Sequence, residues 1–158
     1  MNKIIATNSN HWTALIARLA LGLTIFPHGA QKLLGWFGGY GFTGTMGYFT
    51  TQAHLPYIIG LLVILIEFFG SLFLIFGFLS RFAAIGFIGL YIGAVATVHA
   101  ANGFFMNWNM EAAKGEGWEY FILLFALAII VLIAGGGKAS IDAAISKKPV
   151  ENTNKNDF

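Results

Sequence analysis

Long apolar runs, rather than alternating or narrowly amphipathic patterns, dominate the chain up to residue 134. A helix needs about 20 mostly apolar residues to cross the hydrocarbon core of a bilayer. Four stretches qualify, over about 12–34, 57–79, 82–100 and 118–134. The pattern predicts an all-α membrane protein, a four-transmembrane-helix bundle. Only Ser80-Arg81 separates the second and third stretches, which predicts an antiparallel hairpin. The fourth is short and flanked by glycines: Gly115 and Gly117 before it, Gly135 to Gly137 after it. Arg18 interrupts the first run and no small-x-small cleavage site follows, so that run reads as a retained helix rather than a signal peptide. Residues 1–148 then form one transmembrane domain. Lys138 to Lys148 suits a short surface helix, and the Asn/Lys-rich tail from Pro149 is expected to be disordered.

Composition supports this picture. Charged residues make up 10% of the chain, against roughly 25% in soluble domains. So few charges cannot cover a water-soluble surface, which leaves membrane lipid as the surrounding medium. The formal charge of +2 gives no reason to expect a nucleic-acid partner. There is no cysteine, which excludes disulfides, thiolate nucleophiles and cysteine-held iron–sulfur clusters. The distribution of basic residues is more informative than their sum. Lys3, Arg81, Lys138, Lys147, Lys148 and Lys155 fall on one side, with Arg18 nearest to it, whereas only Lys32 and Lys114 fall on the other. The positive-inside rule places both termini in the cytoplasm of a bacterial inner membrane.

Recurring small residues predict close helix packing, among them Gly22, Gly29, Gly60, Gly70, Gly77, and the Gly89–Gly93–Thr97 series. Polar residues inside the spans carry the candidate chemistry. Glu67 lies near the middle of the second span, where an ionised residue costs about 2.5–3.5 kcal/mol on insertion. It needs a partner, and Arg18 is the expected one, forming an intramembrane ion pair between the first two spans. That pair has two readings, a packing device and a proton or ligand site.

A second group collects near the outer surface. His28 and Lys32 are four residues apart on one helix face, with Gln31 adjacent. His99 and Asn102 end the third span, and Glu119 opens the fourth. These six are ligand or proton-binding candidates, with a purely structural polar cluster as the equal alternative. Pro27 removes one backbone hydrogen bond just before His28. The outer segment Gly35 to Pro56 has six glycines and no charge, and it carries Trp36, Phe37, Tyr40, Phe42, Tyr48 and Phe49. This glycine/aromatic-rich loop, with Trp108 and Trp118 on the same side, suits an interfacial aromatic belt or a wall around a planar ligand.

Taken in order, Arg18-Leu19-Ala20-Leu21-Gly22, His28-Gly29 with Lys32, Glu67, Gly77-Phe78-Leu79-Ser80-Arg81, His99 with Asn102-Gly103-Phe104-Phe105, and Glu119-Tyr120 resemble the DoxX family. The glycine-rich exit ending in Ser-x-Asp, here Gly135 to Asp142, continues the resemblance. Three glycines stand where the family often has a proline. The resemblance spans roughly residues 12 to 142 and implies a four-helix inner-membrane protein. A related subunit, DoxD, belongs to an archaeal thiosulfate:quinone oxidoreductase. Some DoxX proteins are linked to membrane complexes that handle oxidative stress and thiols.

The leading expectation is a membrane subunit of a redox complex that binds a quinone or similar lipid-soluble molecule. His28, Lys32 and His99 would donate hydrogen bonds to a carbonyl, and Glu119 would exchange protons with the outer aqueous phase. No intrinsic cofactor or metal is expected. No flavin or dinucleotide motif is present, so electrons would come from a partner protein. The rivals are a non-catalytic membrane anchor or assembly partner, and a small transporter or proton pathway, the last requiring a homo-oligomer. Bis-histidine haem ligation by His28 and His99 ranks below all of these.

Overall fold

The computed structural model describes residues 7–146, and all of its regular structure is helical. Among these residues three helices are long and apolar enough to cross a membrane: α1 (Trp12–Leu34), α3 (Tyr57–Phe76) and α4 (Ser80–Asn102). A shorter α2 (Gly41–Thr51) lies between the first two. α5 (Glu119–Ala134) has 16 residues, or roughly 24 Å at 1.5 Å per residue. A six-residue α6 (Ile141–Ser146) ends the described chain. The tail from residue 149 lies outside the described residues.

α1, α3, α4 and α5 form a ring in which α1 packs on α3 and α5, and α4 packs on α5 and α3. Leu21, Ile25, Leu74, Ala84, Phe87, Tyr91, Leu124, Ala128 and Val131 fill its interior. Leu23, Phe76, Ile85, Leu123 and Ile133 stay exposed on its outer faces. Lipid is the medium in which such a surface is stable, because acyl chains impose no penalty on exposed alkyl groups.

The turn between α3 and α4 differs from the sequence expectation. α3 ends at Phe76 and the turn occupies residues 77–79, while Ser80 and Arg81 already belong to α4. Gly77, at φ 67°, ends α3 in a left-handed cap. Its N–H bonds the Leu74 carbonyl at 3.2 Å and the Phe78 N–H bonds Phe73 at 2.8 Å, the paired bonds of a Schellman motif. The Asp142 carboxylate caps the start of α4, accepting from the Leu79 and Ser80 N–H groups at 2.8 and 2.9 Å. α6 is therefore no simple surface helix: Asp142 and Ala143 are buried.

The outer segment expected to be a loop also differs. It holds a 3-10 turn at Trp36–Gly38 and the eleven-residue α2, which packs on α1 and α3. Backbone groups at membrane depth must find partners within the protein, and a helix supplies them where an open loop cannot. Thr45 and Met46 are buried, and Phe49 fits against Gly60 of α3. The small-residue expectation divides. A Cβ at Gly22 would meet Ser71 and Leu74, and one at Gly70 would meet Phe87, whereas Gly89 and Gly93 have nothing within 4 Å. Among the described residues no other helix packs against those two glycines.

Candidate functional site

The expected Arg18–Glu67 pair is not formed. Arg18 is 1% exposed and spends all five guanidinium N–H groups on backbone carbonyls. Nε bonds Gly136 at 2.8 Å, Nη1 bonds Leu74 and Ile75 at 2.8 and 2.6 Å, and Nη2 bonds Lys138 and Ala139 at 3.2 and 2.6 Å. The carbonyls in the last turn of a helix have no intrahelical partner, and Arg18 satisfies those of α3 together with the glycine-rich exit. Arg81 does the same for α5 through Leu132 and Ile133, at 2.9 and 2.8 Å. Both arginines act as structural clamps at the end of the bundle that carries α6.

Glu67 pairs with Lys32 instead. Lys32 Nζ lies 2.7 Å from Glu67 Oε2, with the side chains 26% and 11% exposed. Two local features create the approach. Residues Ile66–Gly70 form a π turn inside α3, which widens the helix around Glu67. Gly29 of α1 lies directly against that turn: a Cβ there would come within 2.6 Å of the Glu67 carbonyl carbon and the Phe68 nitrogen. A lysine one turn beyond Gly29 then reaches the carboxylate.

Lys32 also borders an open cleft of about 300 Å³ under α2, lined by Gln31, Gly39, Tyr40, Thr45, Tyr48 and Phe49 among others. That volume is at the lower end of small-molecule sites. The walls are aromatic, and Lys32 supplies a charged donor. Gln31 Nε2 bonds the Phe37 carbonyl at 3.2 Å, which ties the cleft edge to the 3-10 turn.

The other outer candidates do not join this group. His28 is exposed, and among the described residues it has no hydrogen-bond or ionic partner. The four-residue spacing placed it beside Lys32, but Lys32 turns inward to Glu67. His99 Nδ1–H donates to the Glu116 carbonyl at 2.9 Å, and its ring lies 4.6 Å from that of Phe121. Asn102 donates to the same carbonyl at 3.0 Å. Glu119 Oε1 accepts from the Met106 N–H at 3.0 Å and from Trp108 Nε1 at 2.7 Å. These bonds fold the 103–118 segment onto the ends of α4 and α5. The expected six-residue cluster is thus resolved into the Lys32 cleft with Gln31, a separate loop-fixing network of His99, Asn102 and Glu119, and His28 apart from both. Among the described residues no group of three or more His, Asp or Glu side chains could hold a metal ion.

Sequence reasoning missed Tyr91. It is 2% exposed, ringed by Phe87, Phe121 and Phe125 at 5.7, 5.8 and 5.9 Å, and its hydroxyl has no partner among the described residues. A lone tyrosine in an apolar helix gives no signal of this kind.

Residues 13–100 match the DoxX family model. The chain belongs to the DoxX family. The matched segment contains Arg18, Lys32, Glu67, Tyr91 and His99, and it ends before Asn102, Glu119 and Asp142. A Bacillus subtilis (strain 168) protein described as "Putative oxidoreductase CatD" is 26% identical over 133 residues, covering 84% of this chain and 87% of the relative. No solved structure matches this DoxX chain.

Proposed function

We propose that this DoxX-family membrane protein is the quinone-binding membrane subunit of a redox complex, and that the ligand enters the cleft at Lys32. The Lys32 ammonium, held by Glu67 beside aromatic walls, is the observation that carries the reading. A quinone offers a flat apolar ring to Tyr40, Tyr48 and Phe49 and a carbonyl oxygen to Lys32. The Bacillus relative's description as an oxidoreductase supports a redox setting. Electrons come from a partner protein, since the chain has no cysteine and no dinucleotide-binding motif.

The test is binding of decylubiquinone, and separately of a short-chain menaquinone, to the purified protein, followed by tryptophan fluorescence. Lys32→Ala is expected to weaken binding by about 10- to 100-fold, the value of one charged hydrogen bond. His99→Ala is expected to leave it unchanged. Equal binding in wild type and Lys32→Ala refutes the proposed site.

The same proposal has α5 as a fourth span, with both termini in the cytoplasm of a bacterial inner membrane. The basic bias supports this orientation. The lack of native cysteine makes the test clean. An impermeant maleimide added to intact spheroplasts should label Met110→Cys and spare Ala139→Cys, both at exposed positions. The reverse pattern overturns the orientation.

A further inference from the structure

Lys32 occupies only one oxygen of Glu67. Oε2 takes the ammonium, while Oε1 receives no hydrogen bond from any described residue. α4 packs against the π turn that carries Glu67, and it brings in the buried Tyr91 hydroxyl, also without a partner among the described residues. A buried hydroxyl left unpaired is destabilising, and phenylalanine would fill the same aromatic nest without that penalty. An acceptor lacking a donor and a donor lacking an acceptor thus share one part of the bundle.

The ionisable groups around Glu67 are few. The π turn packs against α1 and α4. α1 contributes Lys32 and α4 contributes Tyr91, and α5 carries Tyr120 next to the Phe121 ring that meets Tyr91. His28 is exposed, and Arg18 is engaged with carbonyls at the other end of α1. The site is neutral overall, one ammonium against one carboxylate. An anionic oxygen entering the cleft would set two negative charges beside one lysine in a poorly screened place, which favours protonating one of them.

We propose that Glu67 is a proton-coupled counter-ion: an anionic ligand in the cleft takes over Lys32 as Glu67 takes up one proton, with Tyr91 holding the neutral acid. The reading rests on the cleft being the ligand site. The proton comes from the aqueous phase by way of the partly exposed Lys32 and binds Glu67 Oε1. The Lys32–Glu67 salt link breaks and a Lys32–ligand salt link forms. The new Oε1–H donates to the Tyr91 hydroxyl oxygen, directly or through one water. Charge balances, since one anion and one proton enter together. The ligand class is a lipid-soluble molecule with an ionised oxygen, such as a hydroxyquinone.

Calorimetry in two buffers of different ionisation enthalpy counts the protons. The probes are an alkyl hydroxynaphthoquinone, ionised at the working pH, and its neutral methyl ether. Wild type is expected to take up one proton with the anion and none with the ether. Glu67→Gln, whose Lys32 is already released, should bind the anion severalfold more tightly with no uptake. Tyr91→Phe keeps the ring stack and should bind the anion severalfold more weakly. No proton uptake in wild type, or uptake that persists in Glu67→Gln, overturns the proposal. Infrared titration of the ligand-free protein separates this proposal from the cleft assignment. The Glu67 carboxylic acid band should vanish in Glu67→Gln and shift in Tyr91→Phe, and a band indifferent to Tyr91 overturns Tyr91's role even if every probe binds. If neither probe binds, the cleft assignment fails, and the counter-ion role fails with it.

Discussion

Replacing Arg18 with alanine is expected to cost about 3–5 kcal/mol of stability, the range for breaking a buried charged network. Five hydrogen bonds disappear together; the carbonyls of Ile75, Gly136, Lys138 and Ala139 lose the Arg18 donor outright, and that of Leu74 keeps only the Gly77 N–H. At this depth water cannot freely replace it. Arg18→Lys keeps the charge but offers three donors from one point instead of five in a planar fork, so an intermediate loss is expected. Thermal unfolding in detergent, read from a fluorescent label, measures both. The Lys32–Glu67 link lies elsewhere, so Arg18→Ala and Glu67→Gln should act additively. Strong coupling between them would mean that the two charges meet after all.

Gly29→Ala is the second large effect, and it should fall on stability and binding together. The added carbon would sit within 2.6 Å of the Glu67 carbonyl carbon and the Phe68 nitrogen. Those are backbone atoms and cannot turn aside, so α1 and the π turn must separate. Overpacking of this kind costs about 1–3 kcal/mol. The same displacement pulls Lys32 away from Glu67, and the cleft loses its fixed donor. Quinone affinity should therefore fall nearly as far as in Lys32→Ala. Gly89→Ala is the control, since a Cβ there meets nothing within 4 Å, and it should change neither quantity. Thermal unfolding and the fluorescence titration, run on both variants, decide the matter.

The helical architecture was readable because a long apolar run has few other uses. The range expected for the first span is that of α1, Trp12–Leu34. The need of Glu67 for a cationic partner was also readable, since an isolated carboxylate in lipid is costly. The identity of the partner was not. Arg18 was the expected partner because it starts inside the first span and its long side chain can extend deeper. The structure sets Gly29, near the C-terminal end of α1, against Glu67, near the middle of α3, so Lys32 is the cation within reach. That register depends on α2 and on the π turn, and neither has a hydrophobic pattern of its own. Arg18 was misread for a related reason. Its partners are backbone carbonyls, which every residue carries, so no side-chain pattern marks them. Gly135 and Gly137, at φ 77° and 67°, form the exit turns that present those carbonyls. His99, Asn102 and Glu119 share an approximate depth with Lys32, but depth alone does not fix which way a side chain turns. Their bonds to Glu116, Met106 and Trp108 are contacts with the connecting loop.

The central claim is that a lipid-soluble ligand is held at Lys32 under α2 rather than beneath the loop that carries Trp108. Photolabelling with an azidoquinone, mapped by mass spectrometry with and without excess unlabelled quinone, tests it most directly. Label that excess quinone displaces is predicted within residues 31–49, and it should be lost in Lys32→Ala. Displaceable label confined to residues 99–119, or label spread over the lipid-facing helices and indifferent to competitor, contradicts the account.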